Sequence, residues 1–422
     1  MYKAIVCHID VRDHPNADRL LLGTVAGYQV IVGKDTKSGD LGVFFPTDGQ
    51  LSREFLLANN LYHKHPDTGQ AMGGYFEANG RVKSIKMRGA ISDGFWCPLS
   101  YLNWTGYPVD KLKPGETFSE LKEHEVCRKY ITPQTARTIA ANKAASKKTS
   151  WKSKLLQSKR QAVMFKKHFD TSKLRHSINS IPANSLIILT EKLHGTSGRS
   201  CNSLILNQKW WRKKLGLSPK RSWLQVYGSR NVTYFGDSNK GFYKDTTFRK
   251  QINDMMVLRK GETIFYEIVG YTDTGSSIMP PHSIEDKALK NKYGDQMLYK
   301  YGQKPGTWGV YVYRITMTNE DGDSVELSWE QVRARCVELG LKPVPELARF
   351  IHQGDKESLV KKCLTLSEEH STLDSTHIKE GVCVRVEHVL CDSIFKLKSF
   401  DFCELEGIAK SFEDYVDMEE VS

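Results

Sequence analysis

The pattern of apolar and polar positions changes most sharply between residues 186 and 199. An unbroken apolar run, Leu186-Ile187-Ile188-Leu189, ends in Thr190-Glu191-Lys192, and His194, Gly195, Thr196, Ser197, Gly198 and Arg199 follow. A short apolar run bounded by turn signals predicts a buried strand. The small, Gly-containing segment after it predicts a tight turn into the next strand. Four later stretches carry strand patterns broken by charge. Glu262–Gly270 is apolar except for Glu267, and Trp308–Ile315 alternates so that Tyr311 and Tyr313 share a face. Lys379–Val386 opens a strand with Glu380, and Phe395–Ser399 puts Lys396 and Lys398 two apart on one face.

Shorter strand-like runs fill the first hundred residues: Ala4–Val6, Leu20–Val25, Tyr28–Val32, Gly42–Phe45, Arg81–Met87 and Asp93–Leu99, with Gly, Asp and Asn between them. Their spacing predicts a small antiparallel barrel, and a five-stranded OB-like barrel fits the length. Such barrels serve either as structural modules or as platforms for nucleic-acid strands. Arg81, Lys83 and Lys86 do not all share one face of their run, which weakens the platform reading for that strand alone. Phe55–Asn79, with His63 and His65, predicts a loop hairpin; a third metal ligand beside the two histidines is not evident.

Charge changes the picture in the middle of the chain. The formal net charge of the 422 residues is +12. Between Glu125 and Asp170 there is no Asp or Glu, against twelve Lys and Arg, among them Lys147, Lys148, Lys152 and Lys154. Such a block suits a polyanion, most simply nucleic acid, or a solvated linker. Its Ala, Lys, Gln and Leu content favours basic helices. His168–Ser172 offers an N-cap signature for a helix starting near Ser172. The nine cysteines include no CxxC pair and no zinc-finger spacing, so free thiols in a reducing compartment are expected. Neither a signal peptide nor an apolar run long enough to cross a membrane is evident. The expectation is an intracellular, cytoplasmic or nuclear protein, monomeric and not membrane-bound.

The charged residues form a chemical kit. A lysine at a strand end is half-buried, and desolvation there lowers its pKa, as a lysine nucleophile requires. Taken alone, Lys192 is equally a turn lysine; Glu267 suits a structural ion pair, and the tyrosines suit a core. In order along one chain, however, a lysine, an arginine, an acid, aromatics, a second acid and a lysine pair supply what attack on a nucleoside triphosphate needs. Cations offset charge on the α-phosphate, an acid holds a divalent metal, another accepts ribose hydroxyls, and an aromatic stacks on the base.

The words that carry this order are EKLHGTS at 191–197, YGSRN at 227–231, FYEIVGY at 265–271, KEGVCVRVE at 379–387 and FKLKS at 395–399. ADRLLLGTV at 17–25, VKSIKMRGAISDGFWCPL at 82–99 and FKKHFDTSKL at 165–174 add to them. Together they resemble the covalent nucleotidyltransferases, and within that superfamily the ATP-dependent RNA ligases with an N-terminal OB domain. The resemblance covers about 1–105 and 165–400. It implies an α+β fold: an OB-like barrel over 1–105 and an adenylyltransferase domain of antiparallel sheets flanked by helices over 173–412. Residue content, not the resemblance, leads us to expect a basic helical connector over 106–172 and an acidic tail over 413–422.

The resemblance also implies roles. Lys192 would carry AMP, Arg230 would contact phosphate or ribose, Glu267 would bind ribose, and Glu380 would hold Mg2+ or Mn2+. Lys396 and Lys398 would flank the α-phosphate, Glu191 would lie against the adenine edge, and Tyr311 or Tyr313 would stack on the base. His194 stands where the superfamily pattern usually has Asp, which puts a neutral hydrogen-bonding group in place of a carboxylate. The implied partners are ATP and RNA ends, in a single strand or a nicked duplex, joined 3′-hydroxyl to 5′-phosphate in RNA repair. An RNA-binding protein with a vestigial nucleotide pocket and a GTP-using guanylyltransferase are the alternatives. The latter is disfavoured because the strand-rich module precedes the lysine and only about twenty residues follow Phe400.

Overall fold

The computed structural model describes residues 2–25, 27–131, 136–137, 159–168, 171–230, 232–235, 247–284, 287–387, 394–406 and 409–411. The core of the basic block, including Lys147, Lys148, Lys152 and Lys154, and the acidic 413–422 lie outside them. The chain forms two compact units, residues 1–144 with 403–422, and residues 145–402. The fold is α+β, mostly sheet with some helices.

In the first unit the strands foreseen from the sequence form, most with shifted bounds: Ala4–His8, Leu20–Val25, Tyr28–Gly33, Leu41–Pro46, Ser84–Met87 (shorter than the expected Arg81–Met87) and Ala90–Pro98. They divide between two sheets. One is six-stranded and runs Ala409–Ser411, Ser84–Met87, Ala90–Pro98, Leu41–Pro46, Ala4–His8, Thr117–Phe118; the other joins Asp10–Asp13, Leu20–Val25 and Tyr28–Gly33. Period-two alternation explains why the Leu41–Pro46 strand is apolar throughout. Val43 and Phe45 enter one core, while Phe44 enters a second with Val30 and Trp96. The region after 105 continues this unit in 3-10 turns and short strands through Lys129.

Two local expectations are corrected. Phe55–Asn79 is not only a hairpin: it begins inside the helix Arg53–Ala58, capped by the Ser52 side chain. His65 is structural there, its Nδ1 accepting from the backbone N–H groups of Asp67 and Thr68 at 3.2 and 3.4 Å. Near Ser172 the chain first adds a two-residue strand, Ser172–Lys173, in parallel beside the Lys396 strand; the helix that follows spans Leu174–Ser177. Pairing with an existing strand end overrides the cap signal.

The second unit is built on two sheets. An eight-stranded sheet carries Thr196–Gln208, Lys220–Gly228, Glu262–Gly270 and Trp308–Thr318. A five-stranded sheet runs Ser172–Lys173, Ile394–Lys398, Gly381–Val386, Ser185–Lys192, Glu346–His352. Its three inner strands sort most of their residues by parity. Ile187, Leu189, Val382, Val384, Phe395 and Leu397 pack into a core with Leu359 and Cys363 of the helix Lys356–Ser367. Thr190, Lys192, Cys383, Arg385, Ile394 and Lys396 face the other way and line a cavity. Each buried branched side chain adds about 1.5–3 kcal/mol of apolar transfer, so a one-residue slip, which would expose them all, is strongly disfavoured.

Register then places the chemistry. Lys192 pairs with Gly381, which pairs in turn with Lys398; Thr190, Cys383 and Lys396 form the next row. Gly381 has φ of +152°, and a Cβ there would sit 2.1 Å from the Leu397 carbonyl oxygen. Only glycine lets the strand start so close to its neighbour, with Glu380 immediately before it. Gly381→Ala is therefore expected to destabilise the fold by at least about 1–3 kcal/mol, read as a lower midpoint in urea unfolding.

Candidate active site

The cavity holds about 250 Å³ and lies within the second unit, with walls from both sheets. Lys192 and Lys396 project from one sheet, and Glu267 and Tyr313 from the other. Glu380, 4% exposed, is the centre of the charge arrangement. Its Oε2 accepts from Lys192 Nζ at 2.7 Å and its Oε1 lies 3.0 Å from Lys398 Nζ. His194 Nδ1 lies 3.6 Å from Oε2. Burial acts to raise the Glu380 pKa, but Lys192, Lys398 and His194 outweigh it and hold the carboxyl well below the usual range.

Here the structure corrects one expectation from the sequence. Burial does act to lower the Lys192 pKa, yet the net shift is upward. Glu380, Cys383 and Glu267 outweigh desolvation and favour the charged ammonium of Lys192. The lysine whose pKa falls is Lys396, to about 8, through burial first and then the charges of Lys192, Lys398 and Arg230. The reason is register: Lys192 and Lys398 reach the Glu380 carboxylate, while Lys396 sits one row away among cations.

Glu267 lies across the cavity. Burial lifts its carboxyl to about 7; Glu380 adds to the rise, while Lys192, Arg249 and a backbone bond from Gly195 oppose it. Arg249, from the helix Thr247–Asp254, also donates to Ser197 O at 2.9 Å and Thr196 Oγ1 at 2.7 Å. It thereby fixes the turn that follows the lysine. Gly195 belongs to the same turn, where a Cβ would meet the Ile268 carbonyl oxygen at 2.3 Å.

The remaining sequence candidates fall into distinct places. Arg230 is exposed and borders the cavity. Glu191 also borders it, but alternation along the strand sends its carboxylate away from Lys192. It accepts from Ser371 Oγ at 2.6 Å, Thr372 N at 3.0 Å and Thr372 Oγ1 at 2.6 Å. His194 packs against the rings of Tyr299 and Phe402 at 4.7 and 4.9 Å, and its N–H donates to Tyr301 Oη at 2.6 Å.

The two tyrosines separate. Phe265 pairs with Arg314 and Tyr266 with Val312, so Tyr313 is the extra residue of a bulge. The bulge breaks the simple alternation and puts both Tyr313 and Arg314 in the cavity wall. Tyr311 lies directly opposite Glu267 on the neighbouring strand, and the wall takes Tyr313 instead.

Sequence reading missed several participants. Arg249 comes from a helix with no motif, so only tertiary packing reveals it. Cys383 and Arg385 were visible in principle, two and four residues on from Gly381 on the cavity face. Arg385 donates to the Tyr313 carbonyl at 3.1 Å and pairs with Glu387 and Glu326, both at 3.3 Å. His168, read as part of a helix cap, instead meets Tyr313 Oη at 2.5 Å in the cavity wall.

A strand-end lysine on a buried carboxylate, two further lysines and an opposing acid are thus gathered in and around one cavity. Comparison with known proteins gives the family. Residues 185–398 match the RNA ligase family model, and residues 4–99 match an OB-fold domain model. The first match spans more than half of the chain, and the protein belongs to the RNA ligase family, with an OB-fold domain at its N-terminus. No curated protein sequence matches it. Among solved structures it is similar to Naegleria gruberi RNA ligase with pyrophosphate, at 15% identity and a TM-score of 0.55, over 95% of this chain and 97% of that one. A Lys-to-Met variant of that ligase with AMP and Mn gives 0.55 at 15% identity, over 96% and 98%. A Lys-to-Ala variant with ATP and Mn gives 0.53 at 14%, with the same coverage. At this identity the likeness is one of fold.

The Glu267 shift predicts a pH signature. Its folded pKa of about 7 lies above the unfolded value near 4.3, so the folded state favours the protonated acid. Stability from this group is present below the unfolded value and lost as pH rises through about 7. Glu267→Gln should therefore melt higher than wild type at pH 8 and lose that advantage below pH ~4.5, as thermal unfolding across a pH series will read.

Proposed function

We propose that the protein is an ATP-dependent RNA ligase that joins an RNA 3′-hydroxyl to a 5′-phosphate through lysyl-AMP and RNA-adenylate intermediates, in RNA repair. The observation that carries this reading is the row Lys192–Glu380–Lys398 facing Glu267 across one cavity. RNA ligase family membership supports it.

In the first step the Lys192 amine attacks the α-phosphorus of ATP, and the bond to pyrophosphate breaks. Next an oxygen of the RNA 5′-phosphate attacks the same phosphorus, and the Lys192 N–P bond breaks. Finally the 3′-hydroxyl attacks the activated 5′-phosphate and AMP leaves. In this reading Lys396 and Lys398 offset charge on the α-phosphate oxygens during each transfer. Glu267 accepts ribose hydroxyls, Tyr313 presents its ring to the base, and Arg230 meets phosphate at the rim.

The charged state of Lys192 gives the site two tasks. As an ammonium it attracts the triphosphate; as a nucleophile it must lose a proton. The carboxylates of Glu380 and Glu267, coupled to each other and to Lys192, are hard oxygen ligands that fit Mg2+ or Mn2+. A cation held there would supply positive charge near Lys192, compete with it for Glu380 and so lower the lysine pKa. His194, standing where an acid is usual, contributes a hydrogen-bonding partner to Glu380 rather than another charge of the same sign.

The test is covalent labelling. The full-length protein incubated with ATP labelled at the α-phosphate and Mg2+ or Mn2+ should become labelled, and Lys192→Ala should not. Lys396→Ala should slow labelling by about 10²–10³-fold, with the AMP still mapped to Lys192 by mass spectrometry. Label that persists in Lys192→Ala overturns the assignment. Preferential label from GTP would make the protein a guanylyltransferase, and RNA binding with no label from either nucleotide would make it a binding protein.

A further inference from the structure

Far from Lys192, the other end of the Thr196–Gln208 strand carries a second charged surface. From Lys192 to Gly236 the sequence contains no Asp or Glu, against nine Lys and Arg. Six of these, Lys209, Arg212, Lys213, Lys214, Lys220 and Arg221, cluster around the connection between the strands Thr196–Gln208 and Lys220–Gly228. That connection is the short helix Trp210–Lys214 and the turn after it. Trp210 and Trp211 are 48% and 39% exposed there, with Leu215 and Leu217 also exposed. Adjacent exposed tryptophans are costly to solvate and unusual on a surface with no task.

The tip is ordered rather than loose. Arg212 donates through Nε to Ser218 O at 3.0 Å, and Leu217 N donates to Arg212 O at 2.9 Å. Gln208 Nε2 reaches Leu217 O at 3.4 Å, closing the base of the turn. The Arg212 guanidinium lies 5.5 Å from the Trp211 ring centre. The tip thus holds aromatic rings and cations together before any partner arrives, which reduces the ordering cost of binding.

We propose that this hairpin tip is a docking surface for an unpaired RNA strand, with bases stacking on Trp210 and Trp211 and phosphates meeting Lys209, Lys214, Lys220 and Arg221. Charge complementarity selects a polyanion, and accessible indole faces select unpaired bases over a paired duplex, whose faces are already stacked. A partner protein would need acids to match the cations and offers no reason for so long a stretch of chain without a carboxylate. The proposal rests on the reading of the enzyme as an RNA ligase and adds where the substrate is held beyond the reacting ends. The thirteen-residue strand spans roughly 40 Å at ~3.3 Å per residue, so the tip lies well away from the lysine. A stacked strand covers that distance in about a dozen nucleotides at ~3.4 Å each. The tip therefore acts on long substrates and is out of reach of short ones.

The experiment compares full-length wild type with Trp210→Ala/Trp211→Ala and with Lys214→Glu/Arg221→Glu. Affinity for fluorescent single-stranded RNA of about twenty nucleotides is read by anisotropy across a salt series, and lysyl-AMP formation is measured in parallel. The tryptophan variant should bind about tenfold to a hundredfold more weakly, and the charge variant should show a salt slope reduced by about 2. Both should form lysyl-AMP at the wild-type rate, which also reports that they fold. Ligation should fall for RNA extending about twenty nucleotides from the break and be unchanged for RNA of about four. Wild-type affinity and ligation in the tryptophan variant overturn the proposal alone. An equal loss on blunt duplex RNA overturns the stacking of unpaired bases. A wild-type protein that binds no RNA overturns both this proposal and the ligase reading.

Discussion

The cavity depends on keeping one buried carboxylate ionised. Glu380 is almost fully enclosed, and an unpaired charge there would cost several kcal/mol. It is tolerated because two lysines reach it from the two strands beside its own, Lys192 on one side and Lys398 on the other. That contact requires the three strands to be in one register, and the register is held by the apolar parity of their opposite faces. Core packing and catalytic geometry are therefore a single constraint. A shift that exposed Ile187, Val384 and Leu397 would also separate Lys192 from Glu380.

The same economy of charge shapes the rest of the unit. Glu262, 1% exposed, is held by Arg335 at 2.7 and 2.9 Å, and Lys379 is buried against Glu369 at 2.9 Å. Arg385, in the cavity wall, ties Tyr313, Glu326 and Glu387 together. These ion pairs are complete. The active-site groups are different: Lys396 sits among cations with a lowered pKa, and Glu267 is an acid with a raised one. Groups displaced in opposite directions across a cavity mark it as a place built for charged ligands rather than for stability.

Much of this was legible in the sequence. The buried-strand run before Lys192, the turn after it, and the strands of Glu267, Glu380, Lys396 and Lys398 all form as their patterns predicted. So do the strand runs of the N-terminal module. The errors have local causes. Alternation put Tyr311 and Tyr313 on one face, but a bulge makes Tyr313 an extra residue and turns it into the wall. The helix signal near Ser172 yielded to parallel pairing with the Lys396 strand. The fall in pKa foreseen for Lys192 belongs to Lys396, because pattern shows how deep a residue lies but not which counter-ion stands next to it.

By itself, then, the sequence determined which residues lie on strands, which face each strand buries, and which functional groups recur in the order of an RNA ligase. Those follow from period-two patterning and residue chemistry, both of which are local. The tertiary structure alone decided which lysines reach Glu380, that Arg249 steadies the turn after Lys192, and that the Glu191 carboxylate binds Ser371 and Thr372. These depend on distances between groups as far apart in the chain as Lys192 and Glu380. Electrostatic interaction depends on separation in space, and no pattern along the chain records it.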